Sequence, residues 1–290
     1  MKTTIFRATA RTAMRATLLC GVLALAACGG WLKKSPPPAP APVPVADSLP
    51  NPQVLLLGEV HDNVQGHRLR FEELQRRVAA GWRPAIAMEQ FDRETQPLLT
   101  RAARDCADPE CIIRVMEQPR WDWSLYRPVL DLAISYQLPL IAANLSRSDA
   151  SRTVRDGVKW SMTPAMISTY LAAPVPADIL AAQKKEIQDG HCGMLPDMMI
   201  GGMVDAQVAR DIWMAKVIRD QAPRGVVLFA GNGHVRKDIG VPRWLKLADP
   251  ELNLRSIGYL EPGSNYPGAF DLTQTMPAQS RPDPCAKFRK

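Results

Sequence analysis

Continuous apolar runs alternate with amphipathic segments over most of the chain. Five of these runs predict strands buried on both faces, at residues 54–57, 84–88, 139–143, 225–230 and 254–260. Helical periodicity predicts helices over residues 65–80, 95–104, 126–136 and 196–222. Strands that alternate with helices at this spacing form βαβ units with parallel strands. The sequence therefore predicts an α/β fold, with a mostly parallel open sheet flanked by helices.

Residues 149–185 are also helix-like, but prolines at positions 164, 174 and 176 interrupt them. Proline removes a backbone donor and breaks the interior of a helix. We therefore expect a helical insertion at about residues 149–195. The length of the chain after the N-terminal region suits one α/β domain, over residues 51–290.

The N-terminus has the pattern of a secretory signal. Four basic residues precede an apolar run over residues 16–27, which ends in Leu25-Ala26-Ala27-Cys28. This ending is similar to a bacterial lipobox, so residues 1–27 are expected to be a lipoprotein signal peptide and Cys28 the lipidated first residue. The alternative is an ordinary signal peptide with an incidental cysteine. Gly29, rather than Asp, follows the cysteine, which favours a lipid anchor in the outer membrane, facing the periplasm or the cell surface.

The linker and the charge complete this picture. Residues 28–50 contain six prolines between positions 35 and 45, a composition typical of an extended, semi-rigid spacer. The formal charge is +7, and removal of the four basic residues of the signal peptide leaves about +3. No basic stripe with interleaved aromatic residues is present. A nucleic-acid partner is therefore not expected.

Four cysteines remain after the signal peptide and the lipidated residue: Cys106, Cys111, Cys192 and Cys285. An even number in an oxidising compartment favours disulfides. Cys106 and Cys111 flank a short turn and are expected to pair, which leaves Cys192 and Cys285 to fix the C-terminal tail to the body. A four-cysteine zinc site is the alternative, but no C-x-x-C spacing supports it.

Polar residues lie at the ends of the predicted strands: Glu59, Glu89, Asn144 and His234. Because parallel strands bring their carboxyl ends to one edge of a sheet, where ligands bind, we expect these side chains to meet there. Two of the four histidines, His61 and His234, fall at such ends. The sequence therefore predicts a functional site at this edge.

Several of these residues also have structural explanations. Glu59 could favour the start of the following helix, and Asp62 could cap it, which is worth ~1 kcal/mol. His67 could join the crevice or lie on a solvated helix face. His191 precedes Cys192 and suits a structural or lid role as well as ligation.

Two kinds of chemistry fit these residue types. Carboxylates with imidazoles suit a divalent metal such as zinc or manganese, held by Glu59, His61 and His234. Glu59 and Glu89 would then be the catalytic carboxylates of a metal-dependent hydrolase. Non-covalent haem is the other option, with a histidine or tyrosine on the iron and Arg147, Arg236 or Lys237 on the propionates. The tyrosines that remain open as iron ligands are Tyr126, Tyr136, Tyr170, Tyr259 and Tyr266.

Six ordered motifs resemble the ChaN family. They are Gly58-Glu59-x-His61-Asp62-Asn63, Glu89-x-Phe91-Asp92-Arg93, Ala142-Ala143-Asn144, His191-Cys192-Gly193, Ala206-Gln207-x-x-Arg210-Asp211-x-x-Met214-Ala215 and Ala230-Gly231-Asn232-Gly233-His234-Val235-Arg236. The resemblance covers essentially all of residues 54–260. ChaN proteins are iron-regulated haem-binding lipoproteins implicated in haem or iron uptake. They are grouped with Tiki, TraB and erythromycin esterase-like proteins, some of which are metal-dependent hydrolases.

The resemblance implies a membrane-anchored haem-binding lipoprotein and leaves the metal-dependent hydrolase as the alternative. The expected haem-binding residues are His61, His67, Asn144, Arg147, His234 and Arg236. A homodimer is also expected, because two facing copies would hide a flat, apolar haem better than one shallow crevice.

Overall fold

Six parallel strands form the centre of the fold, in the order β3-β2-β4-β1-β5-β6. They are β1 (Val54–Glu59), β2 (Ala85–Asp92), β3 (Leu140–Asn144), β4 (Val226–Gly231), β5 (Leu254–Leu260) and β6 (Leu272–Thr275). The computed structural model describes residues 50–283 and 285–286. The predicted signal peptide, Cys28 and all but the last residue of the linker therefore lie outside the described residues.

Ten α-helices connect these strands within the described part of the chain. They are α1 (Val64–Ala79), α2 (Gln96–Asp105), α3 (Pro109–Met116), α4 (Trp123–Ser135), α5 (Arg147–Asp156), α6 (Pro164–Tyr170), α7 (Ala177–Gly190), α8 (Asp197–Gln221), α9 (Asn232–Val235) and α10 (Val241–Ala248). Among the described residues, no helix combines the length and the apolar character needed to cross a bilayer.

The strands are buried on both faces, as their continuous apolar runs predict. Along β1, Leu55 and Leu57 pack with α1–α4 on one face of the sheet. Val54 and Leu56 pack on the other face, in the core formed with α6, α7, α8 and α10. Successive strand side chains point to opposite faces, so the next residue of the first series, Glu59, points towards α1–α4.

The prediction of a mostly parallel α/β fold is confirmed, and four elements were not predicted, of which α9 is a single turn of four residues. α3 is only eight residues long, and begins with Pro109 after the capping residue Asp108. α10 has eight residues and β6 four, and most of β6 is exposed. Short or exposed elements carry little hydrophobic periodicity, so the sequence pattern does not reveal them.

The predicted helical insertion is present as α5, α6 and α7, and begins at Arg147, two residues earlier than expected. Both predicted disulfides are formed, between Cys106 and Cys111 and between Cys192 and Cys285. The alternative of a four-cysteine zinc site is therefore wrong.

Candidate functional site

Glu59 is a buried carboxylate at the end of β1 with four polar partners. Its Oε1 accepts hydrogen bonds from Nδ1 of His61 (2.6 Å) and the hydroxyl of Tyr126 (2.7 Å). Gln90 Nε2 donates to the same oxygen at 3.3 Å, and Arg70 forms an ion pair with Oε2. Burial alone would raise the pKa of Glu59, but the Arg70 and His61 charges outweigh it and lower the pKa to about 2. Glu59 is therefore a permanent anion at neutral pH.

His61 is the exposed member of this group, with half of its side chain open to solvent. Because Nδ1 donates to Glu59, Nε2 is the nitrogen that points away from the carboxylate. It lies over Gly231, where a Cβ atom would be 3.2 Å away. Burial opposes the charge on this ring, but the hydrogen bond to Glu59 and the charge of Glu89 raise the pKa of His61 to about 9. The ring is protonated at neutral pH.

His67 lies at the same crevice, but both of its ring nitrogens are engaged. Nε2 donates to the backbone oxygen of His61 at 2.9 Å, and Nδ1 accepts from Arg70 at 2.7 Å. Burial and the Arg70 charge lower the pKa of His67 to about 4. His67 therefore positions Arg70, and neither nitrogen is free for haem iron or another metal.

A second carboxylate–imidazole pair lies on the other side of Gly231. Nδ1 of His234 donates to Oδ1 of Asp211 at 2.6 Å, and its Nε2 is 3.7 Å from Oε1 of Glu89. Burial would lower the pKa of His234, but the Asp211 and Glu89 carboxylates raise it above its usual value. Glu89 is fixed in turn, because Oε2 accepts from the backbone nitrogen of Gly231 at 2.7 Å.

These five side chains form a continuous row, in the order Glu59, His61, Glu89, His234 and Asp211, which we call the polar row. The carboxyl ends of β1, β2 and β4 bring the first four together as predicted. Asp211 was not predicted as a site residue, because it lies within α8 and far from any strand end. The sequence did contain a signal for it, because Asp211 belongs to one of the six motifs that resemble the ChaN family. A buried carboxylate also needs a polar partner.

Two local predictions need correction. β2 does not stop at Met88 but continues to Asp92, so Glu89 lies within the strand. Regular pairing with β4 ends at Met88, and the pairing with β3 is irregular between Met88 and Asp92, which frees Glu89 to bind β4 through its side chain. Asp62 does not cap α1, since Asn63 accepts the hydrogen bond from the nitrogen of Gly66.

Three further predicted residues are not part of the polar row. Asn144 ends β3 and is buried, and its Oδ1 has no hydrogen-bond partner among the described residues. Arg236 is engaged away from the polar row, in ion pairs with Glu186 and Asp238. Arg147 begins α5 and lines a cavity.

This cavity has a volume of about 380 Å³ and lies between α5, α7 and α8. We call it the helical cavity. Its lining residues are Arg147, Ala150, Ser151, Val154, Gln183, Glu186, Ile187, Gly190, His191, Met203, Ala206, Gln207 and Arg210. Gln183 also donates to Oδ2 of Asp211 at 3.2 Å. The helical cavity therefore adjoins the Asp211 end of the polar row.

His191 contributes an imidazole to this cavity. Its Nδ1 lies 2.8 Å from the backbone oxygen of Ile187. A carbonyl oxygen can only accept, so Nδ1 carries a proton and Nε2 is the nitrogen left to meet a ligand. Among the described residues, Nε2 has no hydrogen-bond partner. None of the five tyrosines lines the cavity.

A protein-bound metal finds less support. Within residues 50–283 and 285–286, no group of three or more His, Cys, Asp or Glu side chains is arranged to hold a metal ion. Glu59, His61 and His234 were the predicted ligands, and each is engaged in a carboxylate–imidazole or carboxylate–guanidinium pair.

Comparisons with known proteins concern the fold and the family. A solved structure of Campylobacter jejuni ChaN with cofacially bound haem has 20% sequence identity and a TM-score of 0.65, over 77% of this chain and 87% of that one. This likeness shows the shared α/β fold. An erythromycin esterase mutant is more distant, with 16% identity and a TM-score of 0.43 over 73% of this chain and 71% of its own. No functionally curated protein has a matching sequence.

A family model described as "Haem-binding uptake, Tiki superfamily, ChaN" matches residues 45–245. The match covers more than half of the chain and includes β1 to β4, the polar row and the helical cavity. The chain therefore belongs to the ChaN family of haem-binding uptake proteins.

Proposed function

We propose that this protein binds haem in the helical cavity, as a lipid-anchored protein of the outer membrane that takes part in haem or iron uptake. The family supports haem as the ligand. The observation that carries the location is the imidazole of His191, an exposed residue at the rim of a cavity whose lining also includes apolar side chains and two guanidinium groups. Haem is the cargo in this function and not a catalytic cofactor.

The lining of the helical cavity matches the chemistry of haem. Its apolar walls, which suit a macrocycle, include Val154, Ile187 and Met203. Arg147 and Arg210 supply cations for two propionates, and arginine binds carboxylates in a bidentate way. A volume of about 380 Å³ lies within the range of small-molecule sites.

The state of each imidazole decides which one would hold iron, because only a neutral ring has a lone pair to donate. His67 and His234 each have Nδ1 in a hydrogen bond and Nε2 against a backbone oxygen or Glu89. His61 has an open nitrogen, but its pKa of about 9 keeps it protonated at neutral pH. His191 is the histidine whose Nδ1–H is held by a backbone carbonyl, the usual arrangement for a ligating imidazole.

The membrane anchor rests on the sequence. Cys28 would carry the lipid, and the proline-rich linker would hold the domain away from the membrane surface. A second copy would cover the open side of the bound haem. Labelling with a radioactive fatty acid tests the anchor, since a Cys28→Ser variant should lose the label and leave the membrane fraction. Labelling that survives this change contradicts the anchor.

Haem titration of the full-length protein in detergent tests the site. The parent should shift the Soret band and saturate near one haem per chain. His191→Ala should weaken binding at least ten-fold, or about 1.4 kcal/mol, whereas His61→Ala is the matched control and should bind like the parent. If His61→Ala binds haem more weakly than the parent and His191→Ala binds it equally well, the iron lies at the polar row. No Soret shift with the parent would refute haem binding.

A second candidate function is hydrolysis at the polar row. The favouring observation is that two imidazoles, each held by a carboxylate at 2.6 Å, meet on either side of Glu89. Such pairs serve general acid–base catalysis. A protonated His61 is a general acid, which would give its proton to a leaving group, while Glu89 is the base that activates water. This chemistry requires no bound metal.

Turnover of a panel of nitrophenyl esters tests this candidate. Hydrolysis by the parent in the presence of a chelator, lost in Glu89→Gln and kept in His191→Ala, would support it. Activity that a chelator abolishes would favour the metal-dependent hydrolase instead. Absence of turnover by the parent across the panel would count against both.

A further inference from the structure

The C-terminal segment passes over the edge of the sheet that carries the polar row. β6 runs parallel to β5, so the chain leaves it at the same edge at which β1 ends. The nitrogen of Met276 donates to the oxygen of Leu260 at 2.9 Å. The buried Met276 side chain packs against Gly66 at the start of α1. We call residues 276–283 together with Cys285 the C-terminal strap.

An ionic anchor fastens the strap beside His61. Arg281 donates two hydrogen bonds to Asp62, at 2.8 and 2.7 Å, and two to Glu261, at 2.7 and 2.8 Å. Asn63 also donates to the backbone oxygen of Pro277 at 2.9 Å. Asp62 follows His61 directly in the chain, so this end of the strap is attached next to the exposed imidazole of the polar row.

A covalent anchor fastens the strap beside His191. The disulfide joins Cys285 to Cys192, which follows His191 directly, across a sequence separation of 93 residues. The strap therefore runs between the two loops that carry His61 and His191. Because His191 lines the helical cavity, movement of the covalent end of the strap would change the helical cavity before it changes the polar row.

The turn that carries this anchor holds Cys192 in an unfavourable conformation. The nitrogen of Cys192 bonds to the oxygen of Asp189 at 3.1 Å, and that of Gly193 bonds to the oxygen of Gln188 at 2.8 Å. This is the Schellman arrangement at the end of α7, in which a left-handed residue is usually glycine. Cys192 has a φ of 62° at that position. A residue with a Cβ is disfavoured there. The disulfide to Cys285 therefore helps to hold the turn in this conformation.

The two disulfides differ in their exposure. In the Cys106–Cys111 bond Cys106 is buried and Cys111 is partly exposed, whereas Cys192 and Cys285 are both partly exposed. Thiol–disulfide exchange requires an attacking thiolate to reach a sulfur atom. An external dithiol should therefore reduce the Cys192–Cys285 bond before the Cys106–Cys111 bond.

We infer that the Cys192–Cys285 disulfide is a redox latch, whose reduction frees the end of the C-terminal strap and loosens haem in the helical cavity. The reductant is a protein or small-molecule dithiol. It supplies two electrons and two protons, becomes a disulfide itself, and leaves Cys192 and Cys285 as thiols. The ionic anchor at Arg281 remains, so the domain stays folded. The release of haem rests on the proposed function, whereas the opening of the strap does not.

Haem dissociation from the full-length protein in detergent tests the latch. Cys192→Gly/Cys285→Ser removes the bond while the glycine supports the left-handed turn, and should release haem to an apo-globin at least ten-fold faster than the parent. Cys106→Ser/Cys111→Ser is the matched control and should stay within two-fold. Release from the first variant at the parental rate, or equal acceleration in both variants, overturns the latch while haem binding stands.

A second measurement needs no haem. Titration of the parent with dithiothreitol, followed by alkylation and peptide mapping, should label Cys192 and Cys285 first. Hydrogen exchange at residues 276–283 should rise at the same reductant concentration, while exchange in β1 and β4 stays low. Earlier labelling of Cys106 and Cys111, or unchanged exchange in the strap, contradicts the latch even if the protein binds no haem.

Discussion

Nδ1 of His234 lies 2.6 Å from Oδ1 of Asp211, although His234 belongs to α9, directly after β4, and Asp211 to the interior of α8. The contact fixes the tautomer and the orientation of the ring, and presents Nε2 to Glu89. It also joins the sheet edge to the helix that lines the helical cavity, because Gln183 bonds to the other oxygen of Asp211. The polar row and the helical cavity are thus linked through one carboxylate.

The first prediction concerns the charge of His234. Asp211→Asn removes a carboxylate that raises the pKa of this imidazole, so the pKa of His234 should fall in the variant. NMR titration of the imidazole protons measures the change. Asp205→Asn is the matched control, because Asp205 lies on the same helix and its own pKa is raised by burial, with no contribution from a histidine of the described residues. An unchanged His234 pKa in Asp211→Asn would show that the contact does not form in solution.

The second prediction concerns the buried ion pair of Glu59 and Arg70. Each side chain is only 1% exposed, so Glu59→Gln leaves the Arg70 charge buried and uncompensated. Loss of one partner of such a pair costs about 3–5 kcal/mol of the free energy of unfolding. Urea denaturation measures the loss.

Two variants check this interpretation. Glu72→Gln breaks an exposed pair with Arg68 and should cost less than about 1 kcal/mol. Glu59→Gln/Arg70→Met removes both charges and should be more stable than Glu59→Gln alone, because the two residues share one interaction. Arg70→Met alone completes the comparison. If the double variant loses as much free energy of unfolding as Glu59→Gln and Arg70→Met lose together, the ion pair does not dominate the stability of this region.

The third prediction compares two adjacent glycines of α8. A Cβ at Gly202 would lie 2.4 Å from the backbone oxygen of Val154, whereas no atom of the described residues lies within 4 Å of a Cβ at Gly201. Gly202→Ala should push α5 away from α8 and cost about 1–3 kcal/mol. Gly201→Ala should stabilise the helix by up to about 1 kcal/mol. Thermal unfolding of the two variants compares them, and equal stabilities would contradict the close packing of α5 on α8.

The fourth prediction is a pH dependence of stability with opposite signs on either side of pH 6.5. His61 has a pKa of about 9 in the fold against an ordinary 6.5, so its contribution is complete below pH 6.5 and is lost as the pH rises through 9. His67 has a pKa of about 4 against 6.5, so its contribution is complete above pH 6.5 and is lost as the pH falls through 4. Together they favour the folded state most near pH 6.5.

Urea denaturation across this range separates the two histidines. The loss of stability above pH 6.5 should be smaller in His61→Gln than in the parent. The loss below pH 6.5 should be smaller in His67→Gln. Parallel pH profiles for the parent and both variants would show that neither pKa is shifted in the fold.

The sequence by itself determined that the sheet is parallel. It also predicted a site at the edge formed by the carboxyl ends of the strands. Runs such as residues 54–57 are apolar at every position, and a run this short that ends at a glycine favours a strand covered on both faces. Parallel strands then carry Glu59, Glu89 and His234 to a common edge whatever the details of packing. The disulfide partners also followed from the sequence, because one pair flanks a short turn.

The tertiary structure decided what each of these residues can do. The sequence pattern cannot show that α8 turns Asp211 towards His234, or that His67 has both nitrogens engaged by backbone and Arg70. It named His61 and not His191 among the haem-binding residues, yet His61 is protonated beside Glu59, whereas His191 lines a cavity. Protonation and hydrogen bonding depend on burial and on neighbours that are distant in the chain. Local periodicity carries no record of either.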